Sequence, residues 1–133
     1  ELIDEARAAG AADDLVVRQR LARLHTAGEI QRYLSERANA RAIAGLPAGP
    51  ESSLIKMVWS LVSQQLPATA VDVLGLAALE GDWGGKFVQS RSNTIAGGTT
   101  EVNRNIIGER VLGLPKEPNN DKTVPFSELP KNA

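Results

Sequence analysis

The sequence predicts an all-α fold, a four-helix up-and-down bundle followed by an irregular, proline-rich C-terminal tail. Aromatic residues make up 4% of the 133 residues, whereas alanine and leucine are abundant, and this composition favours helices over sheets. Several segments carry apolar residues three or four positions apart, which is the spacing of an amphipathic helix. No segment is predicted to be a strand.

Two helices are predicted in the first third of the chain. Residues 1–9 are predicted to be a short helix or the end of a helix, which stops at Gly10 because glycine commonly follows the last helical residue. The second helix is capped by Asp13 or Asp14 and ends at Gly45. Its predicted apolar stripe consists of Val17, Leu21, Leu24, Gly28 and Gln31, with Ile30 and Leu34 beside it.

A third helix is predicted to begin near Glu51, after the connection LPAGPESS. Pro67 should kink or interrupt it, because the ring removes a backbone donor and clashes with the preceding turn. The helix then continues to about Glu80. Its predicted apolar face consists of Ile55, Val58, Trp59, Val62 and Leu66.

The C-terminal third is predicted to contain a loop, a short helical segment and one final helix. GDWGG is expected to be a loop with Trp83 in a turn, and KFVQSRSN a short helix or turn. The final helix is capped by Thr99 and runs to about Leu112. We expect the bundle to comprise residues 1–115 and the irregular tail residues 116–133, with prolines at 118, 125 and 130.

Composition excludes several classes of function. The chain has no cysteine, which excludes disulfides, zinc–cysteine sites and thiol catalysis within it and fits a cytoplasmic location. Fifteen basic and sixteen acidic residues are well mixed, so we expect neither nucleic acid nor a charged membrane surface as partner. No apolar run approaches the roughly 20 residues of a membrane span, so we expect no membrane insertion. The chain begins without Met, which leaves open that it is a piece of a longer protein.

The segment IAGGTTE, residues 95–101, is the strongest candidate site. Glycines directly before a helix let backbone N–H groups point at an anion, and the helix dipole favours negative charge there. It is therefore either a phosphate or carboxylate seat or a plain capped helix start. The segment lacks the pattern of a P-loop or of a dinucleotide fingerprint. His25, the only histidine, has no partner at metal-ligand spacing, so no metal site is predicted.

Residues 94–115, TIAGGTTEVNRNIIGERVLGLP, resemble the C-terminal signature of acyl-CoA dehydrogenases. That signature reads roughly I-Y-[EG]-G-T-[ST]-E-[IV]-[QN]-R-x-[IV]-I-[AG]-x-x-[LV]-L-G. The segments RQRLA, residues 18–22, and GPESSLIKMV, residues 49–58, also look like the family's second bundle helix and the start of its third. The resemblance implies the C-terminal helical domain of such an enzyme, with the N-terminal helical and middle β-domains missing.

The family desaturates acyl-CoA thioesters at the α,β bond with FAD as hydride acceptor. The resemblance implies that Thr99, Thr100 and Glu101 contact FAD, and that the backbone of Gly98 lies beside the acyl-CoA substrate. It also implies partners: the missing domains of the same chain, and further subunits in a homo- or hetero-oligomer.

Gly97 stands where many family members carry the catalytic glutamate, so this loop cannot accept the α-proton. One alternative is that the base lies on the first bundle helix, most of which is upstream of this chain; Glu1, Asp4 and Glu5 stand near the end of that helix. The other alternative is that the chain is a base-less subunit that pairs with an active partner. The family's Gln-x-x-Gly-Gly flavin-binding stretch is reduced to DVLGL, where Leu76 replaces the second glycine. Arg7 corresponds either to the family's flavin-pyrophosphate arginine or to a simple helix-end cation. A helical interaction domain without flavin is the remaining alternative.

Overall fold

The computed structural model describes residues 1–47, 49, 51–116 and 124–128, and the described residues are all-helical with no strand. The predicted all-α class is therefore confirmed. There are six α-helices and three short 3₁₀ helices in this part of the chain. The α-helices are α1 (Leu2–Ala8), α2 (Leu15–Ile43), α3 (Glu51–Leu74), α4 (Ala77–Glu80), α5 (Asp82–Gln89) and α6 (Thr100–Arg110). The 3₁₀ helices are Ala11–Asp13, Ser92–Thr94 and Phe126–Glu128. Only α2 and α3 exceed 20 residues, so the four-helix arrangement is not confirmed.

Helix α2 follows its predicted boundaries closely. The Asp14 carboxylate accepts a hydrogen bond from the Val16 amide at 2.7 Å, and Gly45 takes a positive φ of 68° just past the helix. Leu21 and Leu24 are buried against α3, as the apolar stripe predicts. Ile30, expected beside that stripe, is exposed instead.

Helix α3 continues through Pro67. Of the predicted kink or interruption at this proline, the interruption therefore does not occur. Proline costs the helix one backbone hydrogen bond, but the Pro67 ring is buried and its packing offsets part of that cost. The helix ends at Leu74 because Gly75 adopts a φ of 68°, which a helix cannot continue. Gly75 and Leu76 form a turn, and Ala77–Glu80 form the separate helix α4 rather than a continuation of α3.

Four of the five residues of GDWGG, Asp82 to Gly85, are helical, so the prediction of a loop is wrong for them; Gly81 is the extended N-cap. Asp82 begins α5, and Trp83 is buried rather than placed in a turn. The Trp83 indole Nε1 donates to Glu5 Oε2 of α1 at 2.7 Å. A Cβ atom at Gly84 would collide with the Leu79 carbonyl oxygen, so this glycine allows α4 and α5 to approach closely.

The core lies where α1, α3, α4 and α5 meet the first turns of α2. Its buried apolar residues are Leu2, Ala6, Leu21, Leu24, Ala70, Ala78 and Trp83. Trp59, expected on the apolar face of α3, is 38% exposed and does not join this cluster.

Within the described ranges, no helix is both long enough and apolar enough to cross a membrane. Of the tail predicted at 116–133, only Lys116 and residues 124–128 are described, and the latter include a short 3₁₀ helix after Pro125. The prolines at 118 and 130 lie outside the described residues.

Candidate functional site

The segment between the 3₁₀ helix Ser92–Thr94 and α6 contains the candidate site, and its backbone requires glycine. Gly97 and Gly98 adopt φ values of 72° and 99°, a region that residues with a side chain rarely enter. A Cβ atom at Gly98 would also lie 3.2 Å from Nδ2 of Asn103. We call residues 95–101 the glycine loop.

The first turn of α6 holds the glycine loop from one side. The Thr99 hydroxyl accepts from the Val102 amide at 3.4 Å, so Thr99 is the N-cap, as predicted. Asn103 is buried, and its Nδ2 donates to the carbonyls of Gly98 and Thr99, each at 2.9 Å. The sequence analysis did not single out Asn103, because an asparagine inside a helix carries no signal of a buried side chain.

The glycine loop presents backbone donors that the protein itself does not use. Among the residues that the structure describes, the N–H groups of Gly97, Gly98, Thr99 and Thr100 have no acceptor. They lie at the N-terminus of α6, where the helix dipole favours negative charge. This arrangement suits a ligand that brings acceptor oxygens, such as a phosphate or a thioester carbonyl.

Glu101 places a carboxylate beside these donors. Hydrogen bonds from its own backbone amide and from the Thr99 hydroxyl lower the pKa of Glu101 below the usual value of 4.5, and Arg104 adds to the effect. The side chain is exposed. Glu101 is thus ionised at neutral pH and open to a ligand that donates hydrogen bonds.

Helix α3 is bonded to the 3₁₀ helix that directly precedes the glycine loop. Lys56 Nζ donates to the Asn93 carbonyl at 2.8 Å and to Ser60 Oγ at 2.6 Å. Gln64 Nε2 donates to Thr94 Oγ1 at 3.2 Å. Sequence reasoning missed these contacts, although a single lysine inside the otherwise uncharged stretch SSLIKMVWSLVSQQL was a signal for Lys56.

The acidic residues of α1 point to other partners. Glu5 accepts from Trp83, Glu1 accepts from Lys86 Nζ at 3.2 Å, and Asp4 lies 3.7 Å from Arg7. The structure thus shows no hydrogen bond between these carboxylates and the glycine loop in the part of the chain that it describes.

The remaining positions considered for flavin contacts lie elsewhere. Asp72 accepts from Arg20 Nη1 at 2.6 Å, which joins α3 to α2. Gly75 ends α3, and Leu76 is exposed. Arg7 occupies the last turn of α1, where a cation is favourable to the helix dipole. His25 is exposed, and the described residues contain no group of acidic and histidine side chains that could hold a metal.

Comparison with known proteins identifies the family. Residues 1–112 match the model of the acyl-CoA dehydrogenase C-terminal domain. The chain is 35% identical over 122 residues to acyl-CoA dehydrogenase IpdE1 of Mycolicibacterium smegmatis, a match that covers 87% of this chain and 30% of the relative.

Two further relatives come from Mycobacterium tuberculosis. Acyl-CoA dehydrogenase IpdE1 of that organism is 33% identical, over 87% of this chain and 31% of the relative. Acyl-CoA dehydrogenase FadE34 is 31% identical, over 77% of this chain and 15% of the relative. The chain thus spans less than a third of the length of these relatives, and no solved structure matches it. Because the family model covers residues 1–112 of a 133-residue helical chain, this chain belongs to the acyl-CoA dehydrogenase family as a C-terminal domain.

Proposed function

We propose that this chain is the C-terminal domain of an FAD-dependent acyl-CoA dehydrogenase, an oxidoreductase that desaturates the α,β bond of an acyl-CoA thioester. In this proposal residues 1–115 form the helical domain and residues 116–133 an additional tail. The domain contributes to FAD binding and to assembly of a cytoplasmic homo- or hetero-oligomer. The missing N-terminal and middle domains complete the active site.

The observation that carries the proposal is the set of unused N–H donors in the glycine loop. Four consecutive amides, from Gly97 to Thr100, have no acceptor among the described residues. When bound, FAD supplies the acceptor for the hydride that leaves the β-carbon. The protein's own part is to bind and orient: Thr99, Thr100 and Glu101 contact the flavin, and the Gly98 amide donates toward the thioester carbonyl.

The same loop does not supply the base. Gly97 has no proton acceptor, and its φ of 72° would strain any side chain placed there. Glu101, the one carboxylate of this loop, contacts the flavin in this proposal, so a carboxylate outside the glycine loop must accept the α-proton. The acidic groups of α1 are not favoured, because Glu1, Asp4 and Glu5 already have other partners.

The absence of a base at Gly97 also supports a second function. In that case the chain belongs to a subunit without a working site of its own, which acts as structural partner in a heteromeric acyl-CoA dehydrogenase. A glutamate that faces the glycine loop from the upstream part of the first bundle helix would favour an active enzyme. Its absence would favour the structural subunit.

Flavin retention by the intact protein tests the proposed site. The double variant Thr99→Ala/Glu101→Ala should lose FAD during purification or bind it about tenfold or more weakly, since it removes two polar contacts. Binding is measured by calorimetric or fluorescence titration of the apoprotein with FAD. The matched control is Thr26→Ala/Glu80→Ala, which makes the same exchanges at exposed positions on α2 and α4.

Two results would contradict the proposal. Wild-type affinity in the double variant would show that these side chains do not contact the flavin. An intact protein without any FAD or acyl-CoA dependence would instead favour a helical interaction domain, in which IAGGTTE is only a capped helix start.

A further inference from the structure

Lys56 joins α3 to the turn that precedes the glycine loop and to the loop itself. It lies in the second turn of α3, and its side chain is partly buried. The ammonium donates to the carbonyl of Asn93, 37 positions along the chain, and to the buried hydroxyl of Ser60. That hydroxyl in turn lies 2.9 Å from the Asn93 carbonyl. The Asn93 carbonyl therefore accepts from Lys56 and lies within reach of the Ser60 hydroxyl, whose single proton the Lys56 carbonyl can also accept at 2.8 Å.

The stem of Lys56 supports the glycine loop at a second point. Its Cε is the nearest atom to the position that a Cβ at Gly97 would take, at 3.4 Å. One side chain thus fixes a carbonyl four residues before Gly97 and packs against Gly97 itself. Between Asn93 and Gly97, the part of the chain that the structure describes shows one further side-chain bond from α3, which runs from Gln64 to Thr94.

The charge of Lys56 is a clue to its role. Partly burying an ammonium costs free energy, and a carboxylate partner usually offsets that cost. Within the described residues Lys56 forms no ion pair, and its partners are a neutral carbonyl and a neutral hydroxyl. In the described part of the chain no carboxylate therefore pairs with this charge, which lies next to a loop whose free amides also attract negative charge.

We propose that Lys56 is a positioning residue for the glycine loop. It holds the turn at Asn93 so that the amides of Gly97 to Thr100 face the ligand, and its charge strengthens their attraction for an electronegative group. That the ligand is FAD rests on the proposed function. The anchoring of the turn does not rest on it.

The experiment compares Lys56→Met, Lys56→Arg and the control Lys86→Met in the intact protein. Methionine keeps an apolar stem of similar length but no donor, whereas arginine keeps a charged donor. Lys86 is exposed and bonds to Glu1, and none of its hydrogen bonds in the described part of the chain reaches the glycine loop. Two quantities are measured: hydrogen exchange of the Ile95 and Ala96 amides, which both donate to the Ser92 carbonyl, and the dissociation constant for FAD.

For Lys56→Met we expect exchange at Ile95 and Ala96 to accelerate about tenfold and FAD affinity to fall by a similar factor. A tenfold change corresponds to the loss of about one charge-assisted hydrogen bond. Amides in the middle of α2 should keep their exchange rates, which shows that the fold is intact. Lys56→Arg should recover most of both losses, and Lys86→Met should match wild type.

Each other outcome overturns a named part of the proposal. Unchanged exchange with weaker FAD binding would mean that Lys56 contacts the ligand directly and positions nothing. Faster exchange with unchanged FAD affinity would mean that the anchor does not serve the ligand. If wild type binds no FAD, the proposed function fails, while the exchange rates alone still decide whether Lys56 holds the turn.

Discussion

Thr99 and Glu101 form a small polar unit at the start of α6. The Thr99 hydroxyl accepts from the Val102 amide and also stabilises the ionised carboxylate of Glu101. Because the charged form is the one that is bonded, the folded protein holds the pKa of Glu101 below 4.5. The stabilisation is therefore present above this pH and is lost as the pH falls through the folded-state pKa.

Thr99→Ala should raise the pKa of Glu101 back toward its usual value, because the hydroxyl that favours the carboxylate is gone. The substitution should also cost about 1 kcal/mol of helix stability, the typical effect of losing an N-cap. Titration of the Glu101 side-chain carboxyl by NMR measures the shift. Thr26→Ala serves as control and should leave this pKa unchanged. A Glu101 pKa at or above 4.5 in the parent protein would refute the interpretation.

At the scale of elements, Trp83 connects the short helix α5 to α1. Its ring is buried in the core, and its indole nitrogen donates to the Glu5 carboxylate at 2.7 Å. Lys86 Nζ lies 4.3 Å from the centre of the same ring. The Trp83 side chain thus combines apolar burial with a hydrogen bond between two helices. The two bonded residues are 78 positions apart in the sequence.

Trp83→Phe should destabilise the chain by about 1–2 kcal/mol, because a half-buried carboxylate loses its donor while most of the packing remains. Trp83→Ala should cost more, about 3–5 kcal/mol, since it also leaves a cavity. Urea unfolding followed by circular dichroism measures both losses. The control Trp59→Phe, at a partly exposed tryptophan, should stay within about 0.5 kcal/mol of the parent. Equal effects of the two Phe variants would show that the bond to Glu5 contributes nothing.

The elements that the sequence predicted well are those whose ends are fixed locally. Asp14, Gly45 and Thr99 act on backbone groups within a few residues, so the limits of α2 and the start of α6 can be read from neighbouring positions. Helix α5 could not be predicted from neighbouring positions, because DWGG has a low helix propensity. The segment becomes helical through burial of Trp83 and the close approach at Gly84.

The candidate site likewise has features that the sequence predicts from neighbouring residues and contacts that it does not predict. The glycines and the threonine cap of the glycine loop are local features, and the sequence located them correctly in the fold as a turn before a helix. Their roles in binding stay predictions. The contact from Lys56 to Asn93 joins α3 to a turn that follows two other helices, and no pattern of spacing within one segment indicates it.

At the scale of the whole molecule, the described chain has a small core and a large apolar surface. Several core members are alanines, so the buried cluster contains few large side chains. Many large apolar residues are exposed instead, among them Leu15, Ile43, Leu76, Val88, Ile95 and Leu112. They occur on α2, the α3–α4 connection, α5, the glycine loop and the segment after α6. Exposed apolar area of this extent is typical of surfaces that contact another protein segment.

We therefore expect the 133-residue chain to self-associate when it is separated from the rest of its protein. Sedimentation velocity at tens of micromolar should show dimers or larger species, because association buries apolar surface that water would otherwise cover. Raising the salt concentration should not dissociate them, since salt screens charge pairs but does not weaken apolar contacts. Ile43→Ser and Leu76→Ser together should weaken association without unfolding the chain, because both side chains are at least 80% exposed. A strictly monomeric chain at these concentrations would contradict the prediction, and species that dissociate in salt would assign the contact to charged residues instead.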